Sequence, residues 1–354
     1  MLFRSFEHST LWTNSWIEYC QNNNISYEVV DCYQPDIIEK LKHFDCILWH
    51  IGNYVLQDML VGRSILNAAE NMGLKIFPNS KTAWHFDAKV AETYLLQSAD
   101  CPIPKSWMFY LLEDCLVWLE TKAKYPLISK LRCGSGSNNV KLLRNKREAR
   151  KYAKDMFNKG YKTYPSILFK SKSQLLSSKS WATIISRIKR IPEFIRTLSR
   201  AKMFPRERGY AFFQEFIPND GFDLKIVVIG DKLSFIGRRI REGDFRASGG
   251  GDLFFDKSMV TKNIITSAFS ASDKFGFQCM GYDYVVDKVT GNGIIIEISY
   301  GFSHTALLRA GGYFDRLGVW HDEPLDAPSE VIKGLFTKAS AHTNQAPTYH
   351  YERV

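Results

Sequence analysis

Apolar residues recur along the chain at two spacings, and the switches between them predict its elements. Trp16, Ile17 and Tyr19–Cys20 mark a helix over 14–24, and alternation over 25–30 marks a strand. A helix over 36–43 and a strand over 44–50 follow, the strand ending at Gly52-Asn53. A helix over 59–72 stops at Gly73, and 74–77 is a further strand. Strands alternating with helices predict a small α/β unit with a parallel sheet over residues 1–80. It lacks the glycine-rich turn of a dinucleotide site, so no nicotinamide site is read here.

The pattern then changes. A helix over 82–97 carries Asp87 and Lys89, and Cys101-Pro102-Ile103-Pro104 leads into a strand over 105–110. After a helix over 114–123, residues 125–143 read as strand, glycine- and serine-rich loop, and strand, and a helix spans 148–157. Strands are expected at 213–218 and 222–231, and a helix over 261–275. A hairpin joins 281–287 to 293–299 around Thr290-Gly291-Asn292. Residues 301–323 read as structured loop, 329–341 as a last helix, and the remainder as a polar tail. The resulting division is 1–80, 81–212 and 213–354.

Composition narrows the class. The 354 residues are 45% hydrophobic and 24% charged, which fits a globular chain of two or three domains. No apolar run reaches membrane-spanning length and the N-terminus has no signal-like core, so a cytoplasmic protein is expected. Seven cysteines with no CxxC spacing argue against a disulfide framework or structural zinc. The net charge of +10 is uneven: 158–208 holds 13 Lys or Arg against Glu193 and Glu207. This basic insertion contains an amphipathic stretch, 181–198, interrupted by Pro192, and its charge favours an acidic partner or a peripheral membrane contact. Few aromatic residues interleave with it, so nucleic acid is not expected.

Three groups of residues could carry chemistry. Glu297 and Ser299 share one face of a strand, and Asp283 can join them from its neighbour; oxygen donors at strand level suit Mg²⁺. Arg238, Arg239, Arg241 and Arg246, the last beside Ala247-Ser248-Gly249-Gly250-Gly251, suit phosphate or carboxylate oxygens. Gly134, Ser135, Gly136 and Ser137 form a loop whose backbone can approach a phosphate, with Lys130 at the preceding strand end.

Together, in this order, these motifs resemble the ATP-grasp superfamily and, within it, RimK-type carboxylate–amine ligases, over most of the chain to about residue 305. The resemblance implies two α+β subdomains gripping ATP, preceded by the α/β unit at 1–80. Asp87-Ala88-Lys89 and Pro126–Lys130 resemble the motifs bearing two ATP lysines, and 134–140 the mobile loop over the phosphates. Gln214, Glu215, Phe216 and Ile217 resemble the adenine hinge, and Asp223 the aspartate of a "DIR" motif. Arg238-Arg239 followed by Glu242-Gly243-Asp244-Phe245-Arg246 resembles the RimK-type pattern, with Arg246, Ala247 and Ser248 where that group contacts nucleotide and acceptor, which implies catalytic roles for Arg238 and Arg246. Asp283, Glu297 and Ser299 fall on metal-ligand positions. The implied cofactors are ATP and Mg²⁺, with Mn²⁺ as an alternative. The implied reaction makes an acyl phosphate from a carboxylate and couples it to a small-molecule amine.

Lys225 stands where the motif has arginine, and Ser299 where it has asparagine. The basic insertion and 311–323 lie outside the minimal ligase and resemble members associated with bacterial surface-polysaccharide loci, which suggests an acidic saccharide acceptor. A non-catalytic nucleotide sensor or scaffold is the alternative reading.

Overall fold

The computed structural model describes residues 2–4, 11–53, 55–134, 139–163, 205–240 and 252–336. The amphipathic segment 181–198, Ser135–Ser137, Arg241, Arg246–Ser248 and the end of the chain beyond 336 lie outside them.

The first unit is the expected parallel sheet. Its elements are β1 (Leu2–Arg4), α1 (Leu11–Asn22), β2 (Glu28–Val30), α2 (Ile37–Leu41), β3 (Cys46–Leu48), α3 (Arg63–Asn71) and β4 (Lys75–Phe77). The strands run parallel in the order β2-β1-β3-β4. β1 was not expected from the sequence. The helix predicted over 59–72 is a π-helical turn, Asp58–Gly62, running into α3, and Gly73 ends it with φ 89°. Asp58 is buried there, accepting from the Gly52 amide at 2.7 Å and from the Tyr33 hydroxyl.

The helix expected over 82–97 is two helices, α4 (Ser80–Ala83) and α5 (Lys89–Ser98). Asp87 separates them at φ 53°, a left-handed conformation that no helix continues through. Next come β5 (Ser106–Phe109), α6 (Leu112–Thr121), β6 (Leu127–Lys130), β7 (Val140–Leu143) and α7 (Lys146–Phe157). α7 shows why its sequence folds: Asn145 caps it through the Glu148 amide, and Ala149, Tyr152, Ala153 and Met156 form one buried stripe. A short antiparallel pair follows, β8 (Tyr161–Lys162) with β9 (Arg206–Glu207), and β10 (Ala211–Glu215) completes a second sheet in the order β5-β10-β6-β7. Trp118, Leu127, Tyr152 and Phe213 belong to the core between this sheet and α6 and α7.

The third sheet is antiparallel. β11 (Phe222–Ile229), β12 (Lys232–Arg239), β13 (Leu253–Phe254), β14 (Met280–Val286) and β15 (Gly293–Ser299) give the order β15-β14-β11-β12. The segment 301–323 is more ordered than the expected loop: it holds a helix, His304–Leu308, and two short strands, β16 (Tyr313–Phe314) and β17 (Trp320–His321), which extend the sheet beyond β12. The helix Lys262–Phe275 covers one face and ends at Gly276, φ 64°. The opposite face shares a core with the first unit: Val227, Ile229, Tyr300 and Phe302 pack with Trp12, Trp16 and Phe77, and the helix Ala327–Phe336 adds Val331 and Ile332. Among the described residues no helix is long and apolar enough to cross a membrane.

Candidate functional site

The left-handed turn at Asp87 aims the first residue of α5, Lys89, toward the third sheet. The turn is held from outside: the Asp87 carboxylate accepts the Gly134 amide at 2.8 Å, and the Lys89 amide donates to the Arg132 carbonyl at 2.7 Å. The start of α5 and the start of the glycine-rich loop are therefore fixed to each other. Gly134 sits at φ 112°, and a Cβ there would run into the Asn139 side chain, so the position requires glycine.

Lys89 is buried, and its ammonium donates to the Gly134 carbonyl at 2.6 Å and to Glu297 Oε1 at 3.1 Å. Lys130, at the end of β6, crosses from the second sheet to the third and donates to the Ile296 carbonyl at 2.8 Å. Two lysines separated by 41 positions thus meet at one strand, β15. Between them lies a tight recess of about 10 Å³, walled by Leu96, Ile103 and Ile295 and bordered by Glu92, Thr93 and Gln214. Gln214 donates to Ser106 Oγ at 3.1 Å. Of the other hinge residues, Glu215 is exposed, and Phe216 and Ile217 are half-buried.

Strand register explains the rest. Asp283 of β14 faces Glu297 of β15 on one side and Lys225 of β11 on the other, so the three side chains form a row across the sheet. Lys225 is ion-paired with Asp283 Oδ1, and Arg238 Nη2 lies 3.1 Å from Oδ2. Arg238 also grips Asp223, its neighbour across β11 and β12, through Nε at 2.5 Å and Nη2 at 2.9 Å. Asp223 and Arg238 are thus joined inside one ionic network. Ser299 Oγ accepts the Gly301 amide at 3.1 Å.

These contacts set the protonation states. Burial pulls Lys130 down to about 8, with Lys89 adding to the effect and Glu297 opposing it. Burial acts on Lys89 in the same direction, but its acidic neighbours, first of all Glu297 in direct contact, outweigh it and hold the ammonium charged. Burial pushes Glu92 up to about 8 against the attraction of Lys89. Asp283 is buried too, yet Arg238 and Lys225 hold its carboxyl at about 2. Burial raises Asp223 to about 6, with Arg238 opposing.

The sequence reading missed Glu92 and the recess walls. The signal for Glu92 was present, because positions 89 and 92 lie on one face of a helix.

Among the described residues no group of three or more His, Cys, Asp or Glu side chains could hold a metal ion. Asp283 and Glu297 supply oxygen donors on one face, but both Asp283 oxygens are taken by protein cations and the Ser299 hydroxyl is turned to its own chain. These residues do not fit the three-ligand metal site that the sequence suggested.

No protein-family model and no curated protein sequence matches the chain. Solved structures do. It is similar to a RimK-domain ATP-grasp protein from Sphaerobacter thermophilus, with a TM-score of 0.53 and 14% identity over 94% of this chain and 98% of that one. It is similar to the D-cycloserine synthetase DcsG, with a TM-score of 0.58 and 9% identity over 94% and 98% of the two chains. The D-alanine–D-alanine ligase of Bacillus anthracis complexed with ATP gives a TM-score of 0.53 and 13% identity over 94% and 93%. With its parallel N-terminal unit and the two sheets bridged by Lys130, the chain has the ATP-grasp fold.

Proposed function

We propose that the chain is an ATP-dependent ligase that activates a carboxylate as an acyl phosphate and joins it to an amine. The convergence of Lys89 and Lys130 on β15, beside an apolar-walled recess, carries this reading. The recess is closed to little more than a water, so a base would enter by parting the two sheets; Leu96, Ile103 and Ile295 would then give it apolar walls and Gln214 a polar contact at the rim. The phosphates would then lie toward the two ammonium groups and the loop that begins at Gly134.

Transfer of a phosphoryl group depends on charge neutralisation and alignment more than on covalent participation by the protein. Among the described residues Lys130 is bound to a single carbonyl, and it gains a stronger partner when a phosphate oxygen arrives. Lys89 holds Glu297 and the loop start in place, so loop position and phosphate charge are read by one side chain. A substrate carboxylate oxygen would attack the γ-phosphorus as ADP leaves. An amine would then attack the acyl carbon, phosphate would leave, and one proton would pass to solvent. A bound divalent ion would neutralise phosphate charge; no step here is assigned to it. Arg246 and Ser248, proposed on resemblance for the acceptor side, lie outside the described residues. Arg238 is engaged by Asp223 and Asp283, and we assign it to holding those carboxylates. An acidic saccharide is the acceptor class that the charge of 158–208 favours.

The experiment is ADP release with panels of carboxylates and amines. Turnover that requires both substrates and is lost in Lys130→Met supports the ligase. Saturable ATP binding with no turnover for any pair favours a nucleotide sensor, the reading that the cation-occupied Asp283 supports.

A further inference from the structure

Side chains alternate in direction along β6, so Ser129 and Lys130 point to opposite faces of the second sheet. Lys130 reaches the third sheet. Ser129 pairs with Lys141 of β7, and both line a separate cavity of about 310 Å³ on the reverse face, walled by β6, β7, α7 and the β8–β9 pair. Its floor, Ser129, Leu131 and Tyr152, is buried. The Tyr152 hydroxyl donates to the Lys130 carbonyl at 3.2 Å, whereas Ser129 Oγ makes no hydrogen bond among the described residues. A buried hydroxyl left so is costly until a partner arrives. The rim is basic. Lys141 Nζ stands 3.8 Å from the centre of the Tyr161 ring, and Lys159, Lys162 and Arg206 complete it. Arg206 is fixed by neutral groups, donating from Nε to the Lys159 carbonyl and from Nη2 to the Gly160 carbonyl, each at 2.8 Å. Asp155 stands nearby, but it is taken by Lys151 at 2.9 Å, Lys159 at 3.2 Å and the Tyr161 hydroxyl at 3.0 Å. Among the described residues no carboxylate lines the cavity, and Lys141, Lys162 and Arg206 form no salt bridge.

We propose that this cavity is a second binding site, for a small phosphorylated molecule. Three cations without a carboxylate partner surround one concavity, and a phosphate monoester brings about two negative charges and three acceptor oxygens at neutral pH. Ser129 Oγ is the donor on the floor for one of those oxygens. The volume is larger than a phosphate group alone and lies at the small end of clefts that hold small molecules. The segment 164–204, which joins β8 to β9, carries nine Lys or Arg against Glu193, so its like charge disfavours it as the occupant. A ligand here lies across β6 from Lys130 and is not the reacting one, so the inference stands apart from the ligase reading.

Calorimetry on the full chain, without nucleotide, tests it with glucose 6-phosphate, inorganic phosphate and glucose. The wild type is expected to bind glucose 6-phosphate saturably, with inorganic phosphate competing and glucose silent. Lys141→Met is expected to weaken binding about tenfold, the loss of one charge-assisted contact, and Ser129→Ala by a smaller factor. Lys130→Met and Lys151→Met remove a charge in the nucleotide recess and on α7 outside the cavity, and both are expected to stay within about twofold of wild type. Binding lost in Lys130→Met would put the phosphate in the recess and overturn the proposal. Equal losses in Lys141→Met and Lys151→Met would show diffuse attraction to a basic surface and overturn it too. So would equal binding of glucose, or no binding of either phosphate at millimolar concentration.

Discussion

Replacing Lys130 by Met should make the empty protein more stable while weakening its hold on nucleotide. The ammonium is buried, and burial lowers it from 10.5 to about 8. That difference corresponds to roughly 3 kcal/mol that the folded chain loses by keeping the group charged at neutral pH. Methionine has a similar shape and no charge, so the cost disappears. Against this stands the lost hydrogen bond to the Ile296 carbonyl, worth about 1–2 kcal/mol when the acceptor is left unpaired. The net expectation is a gain of about 1–2 kcal/mol at pH 7. The gain must depend on pH in one direction. Below about 8 the lysine is protonated folded and unfolded, and the wild type carries the full cost. Between about 8 and 10.5 the folded chain releases the proton while the unfolded chain keeps it, so the cost shrinks and the variant's advantage fades. Denaturant unfolding at pH 7 and pH 10 measures both points. A variant less stable than wild type at pH 7, or an advantage unchanged at pH 10, would refute the view of Lys130 as a charge held ready for a ligand.

Three further outcomes follow from particular contacts. Glu92→Gln should gain stability relative to wild type as pH rises from about 4.5 to 8, by up to roughly 4 kcal/mol, because the folded wild type keeps a proton that its unfolded chain releases; a flat difference across that range in urea titrations would count against a protonated Glu92. Arg238→Met should destabilise by about 3–5 kcal/mol, since it strips Asp223 and Asp283 of a shared partner, and a loss under about 1 kcal/mol by thermal melting would mean the network is solvated. Gly237→Ala should cost about 1–3 kcal/mol, because the added methyl meets the Phe254 ring, and an unchanged melting point would show that β13 yields freely.

Periodicity made much of the fold legible. The parallel unit and the β14–β15 hairpin follow from apolar spacing and turn residues, and Asp283, Glu297 and Ser299 share a sheet face because side chains repeat every second residue. Lys89 and Lys130 were legible as candidates only through motif resemblance, because their meeting is tertiary. Three features were hidden for physical reasons. The break at Asp87 depends on a carboxylate bonded to a distant amide, which local propensity does not encode. The strands in 313–321 are two residues long and exist because β12 offers them an edge. The capture of Asp283 by Lys225 depends on register across β11 and β14, although the lysine itself stood out as a departure from the motif.

The central claim is that the recess between the second and third sheets holds ATP. Photolabelling with an azido-adenine ATP analogue, followed by peptide mapping, tests it directly. Saturable labelling at Leu96, Ile103, Gln214 or Ile295, abolished by excess ATP and reduced at least tenfold in Lys130→Met, is the predicted result. Labelling that ATP does not displace, or that maps away from these residues, would contradict the account.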